Sequence, residues 1–184
     1  MSLIKVNDIQ TTTGVPNRGK VLQVIQAIKT DYSLISTSAS WVDLPPQGGS
    51  GSFSLSITPS STNSKVWLSY IINGMMTASA NCWFRLLRGS TAIGIADQYG
   101  VCQRSGAASL YGGVSGNQRD TNTTYHVSQQ YLDSPSTTSS TTYKVQVWVQ
   151  TNTSLYIGNS GSLLNSSDMA SSPAITLIAM EIAA

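Results

Sequence analysis

Apolar and polar residues alternate with a period of two along much of this chain, the signature of strands that bury one face. Phe53, Leu55 and Ile57 alternate with Ser54, Ser56 and Thr58. Tyr143, Val145, Val147 and Val149 alternate with Lys144, Gln146, Trp148 and Gln150. The run Lys65–Ile72, ending at Asn73-Gly74, is the strongest strand, and Cys82–Arg88 pairs naturally with Ala92–Ala96 across Gly89-Ser90. Val21–Ala27 fits helix or strand by period alone; its Val and Ile content and the preceding Gly19 favour strand. Ser40–Leu44, Tyr125–Leu132, Ser154–Ile157 and Ala174–Ile182 complete the set.

Clusters of Ser, Thr, Gly, Pro and Asn punctuate these runs. Pro45-Pro46 stops one strand, Gly48–Gly51 turns the chain, and Thr58–Ser64 forms a second turn. Eight to ten short strands without a convincing helix predict an all-β fold, a jelly-roll-like antiparallel β-sandwich. Residues 20–184 form that domain. Residues 1–19 read as an extended N-terminal arm and linker, with Ile4, Val6 and Ile9 as apolar anchors for a partner and Gly14, Pro16 and Gly19 as breakers. An ordinary first strand and loop is the competing reading of the same residues. The final strand is almost continuously apolar, which an exposed edge would not tolerate. It is expected to be central or buried between subunits. Residues 97–120 carry little pattern and are expected to form a long surface excursion.

Composition sharpens this picture. Charged residues make up 10% of the chain, against roughly 25% in an average domain, while thirty serines and nineteen threonines fill the surface. The net charge of +2 leaves no electrostatic footprint for nucleic acid. No apolar run approaches the ~18 residues of a membrane helix, and the start of the chain lacks the apolar core of a signal peptide. Synthesis in a cytoplasm without membrane insertion is expected. Cys82 and Cys102 belong to no CxxC pair, and one histidine cannot complete a zinc site with them. Both are expected as free, buried thiols, and no cofactor or metal is implied.

Catalytic chemistry finds few candidates. His126 is the single histidine, and no GxSxG elbow accompanies it. Eight acids leave little for a carboxylate pair, and Asp133 before Ser134-Pro135 reads as a turn former. Leu110–Gly116 lacks the lysine and helix of a phosphate loop. Binding is the better prospect. Tyr99, Tyr111, Arg104 and Arg119 lie in the long excursion among amides, a set suited to sugar or to protein contact. Trp41, Trp67, Trp83 and Trp148 fit either core or binding platforms; Trp67 and Trp83 fall within apolar strands and read as core. Trp148 opposes the valine set of its strand and faces solvent, a ligand or a neighbouring subunit.

Several stretches, in order along the chain, resemble small tail-fibre proteins of cyanophage type. These are Ile4–Gln10, Gly19–Val24, Ser56–Val66, Tyr131–Pro135 with Thr142–Val145, and Ile175–Ile182. The resemblance implies a virion surface component, assembled in the host cytoplasm, with no catalytic residue. It implies a homotrimer that joins other virion structural proteins and, as a receptor-binding protein, contacts host surface glycans. The alternative is a capsid decoration (cement) protein bound to the major capsid protein. A small depolymerase is the least favoured reading.

Overall fold

A computed structural model describes residues 19–36, 39–76, 81–111, 125–151, 153–158 and 172–184, with the backbone alone at 108–111. Twelve strands carry the described chain: β1 (Val21–Lys29), β2 (Ser33–Ser36), β3 (Trp41–Asp43), β4 (Ser54–Ile57), β5 (Lys65–Met76), β6 (Asn81–Arg88), β7 (Thr91–Ile93), β8 (Ala107–Tyr111), β9 (Tyr125–Asp133), β10 (Thr141–Val149), β11 (Ser154–Ile157) and β12 (Ile175–Ile182). No helix occurs among the described residues.

The twelve strands form eight columns, because four columns are each broken in two. β1 and β2 lie in line along β12 and β11, which in turn lie in line along one edge of β5. β9 takes the other edge of β5. In the second sheet β4 and β3 lie in line along β10. β6 follows β10, and β7 and β8 share its far edge. Numbering the columns along the chain, the first sheet runs 1-8-3-6 and the second 2-7-4-5, antiparallel throughout. That order is the double Greek key of a jelly roll.

Alternation decides the core. β5 turns Val66, Leu68, Tyr70 and Ile72 inward, and β10 turns Tyr143, Val145, Val147 and Val149 to meet them, all buried. β12 adds Ile175, Leu177 and Ala179, and β6 adds Cys82, Phe84 and Leu86. β12 lies between β1 and β5, so the apolar C-terminal strand is central and its edges are paired.

Two strands escape the sequence pattern. Ser33–Ser36 is too short to show a period, and Ala107–Tyr111 lies inside the excursion expected at 97–120. β7 stops at Ile93, short of the expected Ala96, because Gly94 turns away with φ +58°. β5 runs beyond Asn73-Gly74 to Met76. Gly74 is there for close approach, since a Cβ would stand 2.6 Å from the Tyr156 carbonyl oxygen of β11. Cys82 is buried in the core, while Cys102 is exposed between β7 and β8, so the expectation of two buried thiols fails at Cys102.

Polar groups tie the layers together. Asp133 at the end of β9 accepts hydrogen bonds from Arg88 Nη1 of β6 at 2.9 and 3.0 Å and from the Tyr143 hydroxyl of β10 at 2.7 Å. Expected as a turn former, Asp133 is instead a buried acceptor joining both sheets. Burial and this neighbouring carboxylate push the Tyr143 phenol pKa well up. Glu181 of β12 is buried among Gln23, Ser60 and Ser64, accepting from Gln23 Nε2 and from the Ser60 amide at 2.7 Å and from Ser60 Oγ at 2.6 Å. At the break between β1 and β2, fully buried Lys29 pairs with Asp31 and donates to the Pro46 carbonyl at 3.0 Å.

Candidate functional site: the tryptophan face

The outward face of the second sheet gathers aromatic, charged and amide side chains from three strands. In β10 the inward valines leave Lys144, Gln146 and Trp148 on the opposite face. Register then sets their neighbours. Trp148 lies opposite Trp41 of β3 on one side and Trp83 of β6 on the other. Gln146 lies likewise between Asp43 and Arg85. A row of three indoles therefore crosses three strands beside a row of acid, amide and guanidinium. The outer two strands are about 10 Å apart at ~4.8 Å per strand.

The rows are fastened to one another. The Trp41 and Trp148 rings meet edge to face, 6.0 Å between centroids at 71°, a favourable arrangement of ring quadrupoles. The Arg85 guanidinium stacks on Trp41 at 4.2 Å, held there by two hydrogen bonds to Gln146 Oε1 at 3.0 and 2.6 Å. Gln146 Nε2 donates to Asp43 Oδ1 at 2.8 Å. The other Asp43 oxygen accepts from Lys144 Nζ at 2.7 Å and Ser52 Oγ at 2.6 Å. Burial opposes ionisation of Asp43, but the hydrogen bonds from Lys144, Ser52 and Gln146 outweigh it and hold its carboxyl below the usual range. Beyond the indoles, Gln150 Oε1 accepts from the Asn81 amide at 3.0 Å. All three tryptophans are half-buried, with rings supported by sheet rather than loop.

Of the expected binding residues whose side chains are described, Trp148 lies on this face and Tyr99 and Arg104 do not. Trp148 stands at the centre of this face. Tyr99, 85% exposed, and Arg104 lie on the segment joining β7 to β8, at the far edge of β6. Arg104 Nε is committed to the Ala96 carbonyl at 2.8 Å, and a turn brings the Cys102 amide to the Tyr99 carbonyl at 3.0 Å. The backbone of Tyr111 is registered with Asn81 in β8. Arg119, like Ile4, Val6 and Ile9, lies outside the described residues.

No protein-family model matches this chain, and no curated protein matches it. Sequence reasoning left Trp41 open between core and platform and misplaced Trp83. Trp83 was expected in the core, yet it is half-buried on this face; Trp67, also expected in the core, is half-buried on the outward face of the other sheet. The signal was present in the alternation: Trp83 shares its side of β6 with Arg85, and Trp67 its side of β5 with Lys65 and Ser69. His126 is exposed on β9, and no group of three or more His, Cys, Asp or Glu among the described residues could hold a metal.

Proposed function

We propose that this chain is a non-enzymatic phage virion surface protein of the tail-fibre, receptor-binding type. It assembles with itself as a homotrimer, attaches to other virion proteins through residues 1–19, and contacts host surface glycans through the Trp41–Trp148–Trp83 face. The resemblance of its sequence motifs supports the virion setting. The row of indoles beside Asp43, Gln146 and Arg85 carries the glycan reading. Sugar rings present C–H faces that lie on aromatic planes, with hydroxyls at the rim for amide, carboxylate and guanidinium partners. Protein interfaces, by contrast, exclude charge from their centres, and this face places Asp43 and Arg85 in the row beside its aromatics.

The test is a glycan array followed by titration of tryptophan fluorescence with the oligosaccharides that bind. Trp148→Ala is expected to weaken binding about tenfold or more, the ~1.4 kcal/mol or greater of an aromatic anchor, with an unchanged circular dichroism spectrum. A wild-type chain that binds no glycan but decorates purified capsids supports the cement reading instead.

A further inference from the structure

The outward face of the first sheet has a different character from the tryptophan face. An antiparallel sheet with one face on the core ordinarily presents polar residues on the other. Here the outward positions of β1 are Leu22, Val24, Gln26 and Ile28, and those of β12 are Thr176, Ile178, Met180 and Ile182. Register lines them into rows. Val24, Met180, Trp67 and Leu132 stand side by side across all four columns, and Ile28, Thr176, Ile71 and Ser128 form a second row. Val24 is 53% exposed, Ile28 51%, Ile71 46% and Leu132 53%. The outward positions of β1, β5, β9 and β12 include no acid. The one full cation, Lys65, sits at a corner and donates to Ser134 Oγ at 2.8 Å.

We infer that a second copy of this chain packs on this face. The inference deepens the self-assembly part of the proposed function and is independent of its glycan part. Area argues for a folded partner. Four columns at ~4.8 Å and the length of β12 at ~3.4 Å per residue span about 19 by 27 Å, on the order of 500 Å² of flat face. Side chains standing on it raise the accessible area towards the ~800 Å² that each partner buries in a standard interface. Chemistry argues for a copy of itself. The face mixes exposed apolar side chains with the neutral polar groups of Gln26, Ser69 and Gln130 and holds no acid, so copies of it converging about a symmetry axis meet without like-charge conflict at their centres.

The experiment measures the mass of the full chain by light scattering at micromolar concentration, for wild type and for Val24→Glu and Ile71→Glu. Both positions are exposed, and circular dichroism and thermal melts confirm that the variants fold. The expected wild-type mass is a multiple of 19.5 kDa. Each variant is expected to fall to 19.5 kDa while Trp67, identified by comparison with Trp67→Phe, becomes more open to acrylamide. A wild-type monomer overturns the inference, whether Trp67 is open or already shielded by the chain itself. So does a multimer whose mass ignores both substitutions. Glycan titration at Trp148 on the same samples reports the other reading separately.

Discussion

Glu181 shows how one buried acid can hold a turn in place. Burial opposes its charge, but hydrogen bonds from Ser60, Gln23 and Ser64 overcome that opposition and lower its pKa from 4.5 to about 2. Because the folded value lies below the unfolded one, the stabilisation is complete above pH 4.5 and is lost as pH falls towards 2. The shift corresponds to about 3 kcal/mol. Acid titration of stability should therefore show a steep loss in that window, and Glu181→Gln should flatten it while lowering stability at neutral pH. Tyr70 presents the opposite case. Its hydroxyl is buried without a hydrogen-bond partner among the described residues, and burial pushes its pKa well up. Tyr70→Phe removes an unpaired polar atom and is expected to leave stability within about 0.5 kcal/mol of wild type or to raise it. A loss of several kcal/mol on chemical denaturation would show that the hydroxyl is bonded.

At the scale of elements, the sandwich depends on a few cross-strand fittings. Asp133 joins β9 of one sheet to β6 and β10 of the other through Arg88 and Tyr143. Asp133→Ala strips the Tyr143 hydroxyl of its partner inside the core and should cost about 3 kcal/mol, read from urea midpoints at constant slope. Tyr143→Phe leaves the Arg88 pair intact and should cost less. Gly74 lets β11 dock on β5. Gly74→Ala drives a methyl group against the Tyr156 carbonyl and should destabilise by roughly 1–3 kcal/mol. Much at this scale was legible beforehand, because period-two alternation is local. β4, β6, β10 and β12 could be read from their own residues. β2 and β8 could not, since four or five residues without clear alternation become strands only when a neighbour offers its edge.

For the whole molecule, the two outward faces differ in character: one carries the tryptophan row beside Asp43, Gln146 and Arg85, the other exposes Val24, Ile28, Ile71 and Leu132 among neutral polar groups. In the proposed function attachment is assigned to residues 1–19, of which 1–18 lie outside the described residues. Deletion of 1–19 is expected to leave a folded, self-associated protein that no longer joins particles. Normal incorporation of the truncated chain would move the anchor to the loops, beginning with the segment between β7 and β8.

The sequence by itself determined the all-β class, the run of inward residues in most strands, and the outward side of Trp148. Those depend on neighbours one or two residues away, which the chain order already contains. Only the tertiary structure decided that Trp41, Trp148 and Trp83 form one row, or that Val24, Met180, Trp67 and Leu132 form another. Such rows arise from register between strands far apart in the chain, and register is set by the packing of the whole sandwich. The same cause placed Tyr99 and Arg104 away from Trp148, on a segment leaving the opposite edge of β6.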